Sequence, residues 1–209
     1  MKITKIQTVA AAGVVGLLAT GCGSEGGSDN TDAKPKPGRT VLTQKLTKPT
    51  GGVDLEPAAS PAADAPFAET VAYELQRKTL SMASASGKTT GQCPKAMGSK
   101  TGTKATCTTT YQGVEVVWDV TIGEKSGWSD NVVKYEAFPR QALLVRAGVA
   151  RHMLGDSDVF QYALCNDIPE AVLVPFGETK YKCEKVGKNR EPIGYNETVR
   201  ITDTGPTVH

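Results

Sequence analysis

Five cysteines carry the clearest chemistry in the sequence: Cys22, Cys93, Cys107, Cys165 and Cys183. Cysteine sulfur serves proteins in disulfides, redox centres or metal sites, and the spacing of the cysteines helps to separate these uses. A thioredoxin-like redox centre needs two cysteines separated by two residues, and a zinc knuckle also needs closely spaced ligands. No two cysteines of this chain lie that close together. The spacing therefore favours structural disulfides, and we expect neither a redox centre nor a metal site.

Cys22 stands apart because it lies where the most apolar part of the chain meets the most polar part. Lys2 and Lys5 precede the apolar run Thr8–Thr20, as in the charged and hydrophobic regions of an export signal. The run is too short to cross a bilayer, which needs about 20 residues. With small residues directly before Cys22, this segment resembles a bacterial lipobox, in which the signal is removed and the cysteine receives a diacylglycerol.

The lipobox resemblance implies a signal peptide over residues 1–21 and a palmitate-type lipid anchor on Cys22. It implies a mature chain on the extracytoplasmic face of the cell membrane. Two acyl chains would hold the protein strongly, at about 0.8 kcal/mol per buried CH₂ group. Ordinary signal-peptidase cleavage is the alternative, because Ala19 and Gly21 also suit that enzyme. In that case the product is freely secreted.

Charge limits the choice of partners. The chain has 24 basic and 22 acidic residues, and loss of Lys2 and Lys5 with the signal would make the mature protein neutral. Nucleic-acid binding needs a net basic surface, so we expect no nucleic-acid partner. One part of the chain, the basic stretch, nevertheless carries six cations and no acidic residue: Arg77, Lys78, Lys88, Lys95, Lys100 and Lys104. It predicts contact with anionic lipid head groups or an anionic wall polymer; a solvated face is the alternative.

Other residue patterns exclude several functions. The two histidines, His152 and His209, show no arrangement for general-base chemistry, and His152 is expected on the surface of a helix. The segment Gly98–Lys104 has one residue too few between its glycines for a phosphate-binding loop. Asp156 and Asp158 supply too few oxygen ligands for a calcium loop. We therefore expect no catalytic residues, no metal and no cofactor.

Two helices are predicted to precede the cysteine pairs. In the first, Phe67, Val71 and Leu75 recur at four-residue spacing, and Asp64 is predicted to cap the helix. A second helix is predicted from Pro139 to Gly155. Its buried stripe would consist of Ala142, Val145, Val149 and Met153.

Strands are predicted in both halves of the chain. Val114–Ile122 alternates strictly between inward and outward residues, and a turn at Gln112-Gly113 would pair it with Lys104–Tyr111. Asn131–Ala137 is predicted as a third strand. The second half of the chain has three counterparts, at Val159–Cys165, Thr179–Val186 and Asn196–Thr202.

The two halves of the chain form an internal repeat. Each half has a helix, a first cysteine, a glycine shortly before a second cysteine, and then strands. Four cysteines allow three pairings, and the repeat favours the local ones, Cys93–Cys107 and Cys165–Cys183. The predicted fold class is α+β, with two tandem small modules, each a helix packed on a short antiparallel sheet with one disulfide.

This arrangement resembles a domain of unknown function found in actinobacterial exported proteins and lipoproteins. The residues that match are Cys93-Pro94, Gly102, Cys107 and the strand Val114–Ile122. The second half is the more divergent copy, because Asn166 follows its first cysteine where the family has proline. The resemblance implies one disulfide in each copy and a location in the cell envelope. It implies no known activity.

The predicted domain organisation is a signal peptide (1–21), a disordered tether (22–63), a first module (64–138) and a second module (139–209). Within the tether, Thr40–Leu46 alternates, and a short strand there is the alternative. The expected function is that of a lipid-anchored envelope protein, a non-enzymatic binding or scaffolding module for an unidentified envelope protein or wall polymer. The alternative is a secreted, disulfide-stapled protease inhibitor that presents Lys95 and Lys100.

Overall fold

The computed structural model describes residues 41–126, 129–155 and 158–209. All of them belong to one compact unit. The predicted signal peptide, Cys22, the first part of the predicted tether and Asp156 lie outside the described residues. Strands account for 44% and helices for 16% of the structure, so the fold is mostly β.

The described residues form three antiparallel sheets and two helices. In chain order the elements are β1 (Gln44–Leu46), α1 (Phe67–Ala83), β2 (Thr89–Gln92), β3 (Lys104–Tyr111), β4 (Val114–Ser126), β5 (Ser129–Pro139), β6 (Ala142–Val145), α2 (Arg146–Leu154), β7 (Phe160–Cys165), β8 (Ala171–Val174), β9 (Gly177–Gly187), β10 (Glu197–Thr202) and β11 (Gly205–Val208). The sheets have the strand orders β2-β3-β4-β5, β1-β7-β9-β10-β11 and β6-β8.

The four-stranded sheet confirms the strongest strand predictions. Val116, Trp118 and Val120 of β4 are buried, whereas Glu115 and Asp119 on the opposite face are exposed, as the alternation predicted. The turn between β3 and β4 is the predicted two-residue turn. Its residues Gln112 and Gly113 have φ of 48° and 88°, the positive values that tight hairpin turns require.

Helix α1 covers the inner face of this sheet with a stripe that includes Val71 and Leu75. Its predicted cap is wrong. The helix begins at Phe67, Pro66 occupies the N-cap position, and no side chain caps the first turn. Proline fits the start of a helix because the first backbone N–H groups have no partner within the helix.

The five-stranded sheet includes residues that the sequence placed in the tether. Strand β1 pairs antiparallel with β7, so that Gln44 lies opposite Cys165. The Gln44 amide donates to the Ile168 carbonyl at 3.0 Å and accepts from the Ile168 N–H at 3.0 Å. Part of residues 22–63 is therefore ordered by pairing with a distant strand.

The second helix is shorter than predicted. Its first four apolar residues form strand β6, which pairs with β8, and α2 begins only at Arg146. All four residues of β6 are buried, so no polar side was left to distinguish a helix from a strand. The predicted C-terminal end of the second helix is confirmed, because Gly155 caps α2.

The predicted fold class of two tandem helix-on-sheet modules is wrong. Helix α1 contacts β2 and β3 of one sheet and also β6 and β11 of the other two sheets. Its C-terminal turn packs on α2, where the Ala83 carbonyl lies against Gly148. One continuous apolar core joins all these elements.

Candidate functional site

The predicted disulfide pairing is confirmed. Cys93 bonds to Cys107 and Cys165 to Cys183, with Cα atoms 4.4 Å and 4.1 Å apart. The Cys165–Cys183 bond joins β7 to β9, the Cys93–Cys107 bond joins the residue after β2 to β3, and all four cysteines are buried. These sulfur atoms therefore brace the sheets and are shielded from solvent.

The basic stretch does not form one cluster. Arg77 on α1 pairs with Glu56 at 2.9 Å and with Glu74 at 3.2 Å, and these carboxylates raise the pKa of its guanidinium. Lys88 lies at the far end of β3 from Lys104, roughly 20 Å away along the strand. Lys78 lies exposed on α1, next to Arg77.

Three members of the basic stretch do lie on one connection. Lys95 and Lys100 are on the segment that leads from β2 into β3, and Lys104 is the first residue of β3. We call residues 93–104 the lysine loop. All three side chains are exposed, and none forms an ion pair with any residue that the structure describes. The predicted contact with an anionic surface stays a prediction.

A cavity of about 590 Å³ opens where the N-terminal half of α1 meets β2. We call it the α1–β2 groove. One wall is the segment 59–61, the second is α1 and the third is β2 with the start of the lysine loop. The lining residues with polar or charged side chains include Glu69, Tyr73, Gln76, Gln92 and Lys95.

Hydrogen bonds fix the outer wall of the groove. The Tyr73 hydroxyl donates to the Glu56 carboxylate at 3.0 Å and accepts from the Ser60 hydroxyl at 3.3 Å. Arg77 holds the same carboxylate of Glu56 through its ion pair. The segment before α1 is therefore tied to the helix, and the groove is preformed.

Gly91 sets the depth of the groove. A Cβ atom at this position would lie 2.6 Å from the Ala72 carbonyl oxygen and 2.9 Å from the Gln76 side chain. Only glycine allows α1 to pack this closely on β2.

A second cavity of about 560 Å³ was missed by sequence reasoning. Phe138 and Phe176 line it with 66% and 43% of their surface exposed, beside Arg200 and Asp203. Phe138 lies opposite the outward-facing Asp119 in the β4–β5 register, and the predicted strand Asn131–Ala137 ended one residue before it. Arg140 donates to the Asp119 carboxylate at 2.8 Å and 3.0 Å, which lowers the pKa of that carboxyl.

The comparisons with known proteins give no relative: no family model, no curated protein and no solved structure matches this chain.

Within the described ranges, no three acidic, histidine or cysteine side chains come together as a metal site would require. Neither helix of the described part has the length and apolar character needed to cross a membrane. His152 lies exposed on α2, as predicted.

Proposed function

We propose that this chain is a lipid-anchored protein of the cell envelope whose folded part is a non-enzymatic binding module. The observation that carries the binding role is the α1–β2 groove, a preformed cavity whose lining combines apolar residues with polar and charged side chains. Two buried disulfides support an exported location, because such bonds persist in oxidising compartments.

The anchor in this proposal is Cys22, which lies before the first strand of the fold. The chain from Cys22 to Gln44 can reach at most about 75 Å. Gln44, where the fold begins, would therefore stay within that distance of the lipid surface, and the ligand would be an envelope protein or a wall polymer.

The anchor is tested by expressing the full chain in a bacterium that processes lipoproteins. We expect the wild type to enter the detergent phase on Triton X-114 partition, and its intact mass to show a diacylglycerol on Cys22. The variant Cys22→Ser should appear in the medium, whereas the matched control Ser24→Ala should keep the anchor. A mature protein with an unmodified Cys22 would contradict the proposal.

The binding role is tested on intact cells with a photo-crosslinking residue in place of Gln92, which lines the groove. We expect discrete adducts from this position. The same residue at Gln161, exposed on β7, is the control and should give none. Equal adducts from both positions, or none from either, would count against a binding groove.

A secreted protease inhibitor is the second candidate, and one observation favours it. Lys95 and Lys100 lie exposed on the lysine loop, inside the segment that the Cys93–Cys107 bond closes. An inhibitor would block trypsin at a stoichiometry of one to one, and Lys95→Ala with Lys100→Ala would abolish the block. Cleavage of the loop without inhibition would exclude this candidate.

A further inference from the structure

We propose that the α1–β2 groove binds an extended peptide segment of a partner protein, which adds to the four-stranded sheet as a strand beside β2. The inference rests on the proposed binding function and names its ligand class. It follows from the backbone groups of β2 and from the charges at one end of the groove.

Strand β2 is an edge strand that pairs only with β3. The Gln112 N–H donates to the Lys88 carbonyl at 3.0 Å, which makes this opposed pair a hydrogen-bonded one. In antiparallel sheets, hydrogen-bonded and non-bonded pairs alternate. The backbone groups of Thr90 and Gln92 therefore point to β3, and those of Thr89 and Gly91 point away from it.

Two independent features agree with this alternation. The Ile122 N–H donates to the Thr103 carbonyl at 2.8 Å, which leaves Thr108 and Thr110 of β3 to bond with β2. The Cys93–Cys107 pair continues the β2–β3 register with a Cα separation of 4.4 Å, the spacing of a non-bonded pair. The outward direction at Thr89 and Gly91 is thus consistent along the whole strand.

The outward groups on β2 are open to a ligand. Among the described residues, none outside β3 gives a backbone hydrogen bond to Thr89 or Gly91. Gly91 is partly exposed and lines the groove, and the alternation directs its N–H and carbonyl away from β3. Along a strand edge, an outward N–H and carbonyl recur at every second residue, about 6.8 Å apart. The backbone of another extended peptide has the same spacing and can pair with them.

Charge selects the kind of peptide. Lys95 lines the groove beyond the end of β2, and Lys100 and Lys104 belong to the same lysine loop. Glu69, in the first turn of α1, lines the groove as well, so Lys95 is the cation at the lysine-loop end that an acidic side chain of the ligand would meet. A peptide with acidic residues at that end would complement it.

The first test uses hydrogen exchange of the free protein, followed by NMR. We expect the amides of Thr89 and Gly91 to exchange much faster than those of Thr90 and Gln92, which bond to β3. Slow exchange at Thr89 and Gly91 would show that these groups already have partners and would overturn the proposal.

The second test uses a phage-displayed library of random 12-residue peptides selected on the full folded part. We expect selected peptides to be acidic and to slow exchange at Thr89 and Gly91 at least tenfold, with Thr90 and Gln92 unchanged. N-methylation of alternate peptide amides should abolish binding in one register and not in the other. Failure to select binders, or protection elsewhere, would overturn the proposal.

A pair of charge variants separates this inference from the proposed function. Lys95→Glu should weaken peptide binding roughly tenfold, and Lys88→Glu, at the opposite end of β2, should change it little. Adducts from Gln92 on cells without any peptide binding would refute the peptide ligand and leave the binding module standing. Loss of both signals would refute both.

Discussion

Three buried polar side chains tie α1 to the sheet beneath it. The Trp118 ring N–H donates to the Thr109 hydroxyl at 2.9 Å, and the Thr79 hydroxyl donates to the Leu75 carbonyl at 2.7 Å. The two hydroxyls lie 2.7 Å apart. Because Thr79 already uses its only hydroxyl proton, Thr109 must donate to Thr79. A directed chain of hydrogen bonds thus runs from β4 through β3 into the helix.

Removal of the middle hydroxyl should destabilise the fold. In Thr109→Val, Trp118 keeps its shape but loses its acceptor, and a buried unpaired donor costs about 1–3 kcal/mol. Thr108→Val is the matched control, because Thr108 lies on the same strand but faces outward. Its free energy of unfolding should change by less than about 0.5 kcal/mol. Equal effects in urea unfolding would contradict the chain of hydrogen bonds.

Tyr135 should make the stability of the fold decrease at alkaline pH. Burial, reinforced by the negative charge of Glu74, raises the pKa of its hydroxyl to about 12. The unfolded chain releases this proton near pH 10, whereas the folded protein retains it to higher pH. Stability should therefore be intact below pH 10 and fall between pH 10 and 12.

The variants Tyr135→Phe and Tyr195→Phe test this pH dependence by urea unfolding at successive pH values. Tyr135→Phe should flatten the decline between pH 10 and 12. Tyr195 is 75% exposed, so its replacement should leave the decline in place. An unchanged decline in Tyr135→Phe would assign the effect to other groups.

At the scale of elements, the contact between the two helices depends on one glycine. A Cβ atom on Gly148 of α2 would penetrate the Ala83 carbonyl at the end of α1. Alanine favours a helix over glycine by up to about 1 kcal/mol, but overpacking of a rigid backbone contact costs about 1–3 kcal/mol.

We therefore expect Gly148→Ala to lower the melting temperature, although alanine is the better helix former. Gly98→Ala, where nothing lies within 4 Å of the added Cβ, is the control and should have no such effect. A more stable Gly148→Ala protein would show that the helices can separate at little cost.

The elements also show which local sequence patterns were sufficient to predict the structure. The alternation in β4 fixed its buried face, because every second residue meets α1 or the core. The run Ala142–Val145 gave no such information, because all of its residues are buried. Its pairing with β8, far along the chain, decided the strand, and helical spacing alone could not reveal that pairing.

At the scale of the whole molecule, β1 joins the N-terminal part of the described chain to the five-stranded sheet. Gln44 pairs with both backbone groups of Ile168, which lies 124 residues away. Loss of two such hydrogen bonds costs about 1–3 kcal/mol. Gln44→Ala should lower the free energy of unfolding by this amount, and Gln161→Ala, exposed on β7, should not.

One core also predicts one unfolding transition. Because α1 contacts all three sheets, neither half can lose its packing alone. In a Trp128→Phe variant, fluorescence of Trp118 in the first half and hydrogen exchange at Val199 in the second should report the same transition midpoint in urea. Two separate midpoints would restore the two-module architecture.

The sequence by itself determined the features that depend on near neighbours. Alternation predicted the β3–β4 hairpin, and the internal repeat favoured the local disulfides, which the structure confirms. The tertiary structure alone decided that β1 joins a distant sheet, that Ala142–Val145 is a strand and that α1 binds three sheets into one core. It alone left the edge of β2 open beside a groove. Such pairings form between residues far apart in the chain. The burial that stabilises them produces no periodic pattern in the local sequence.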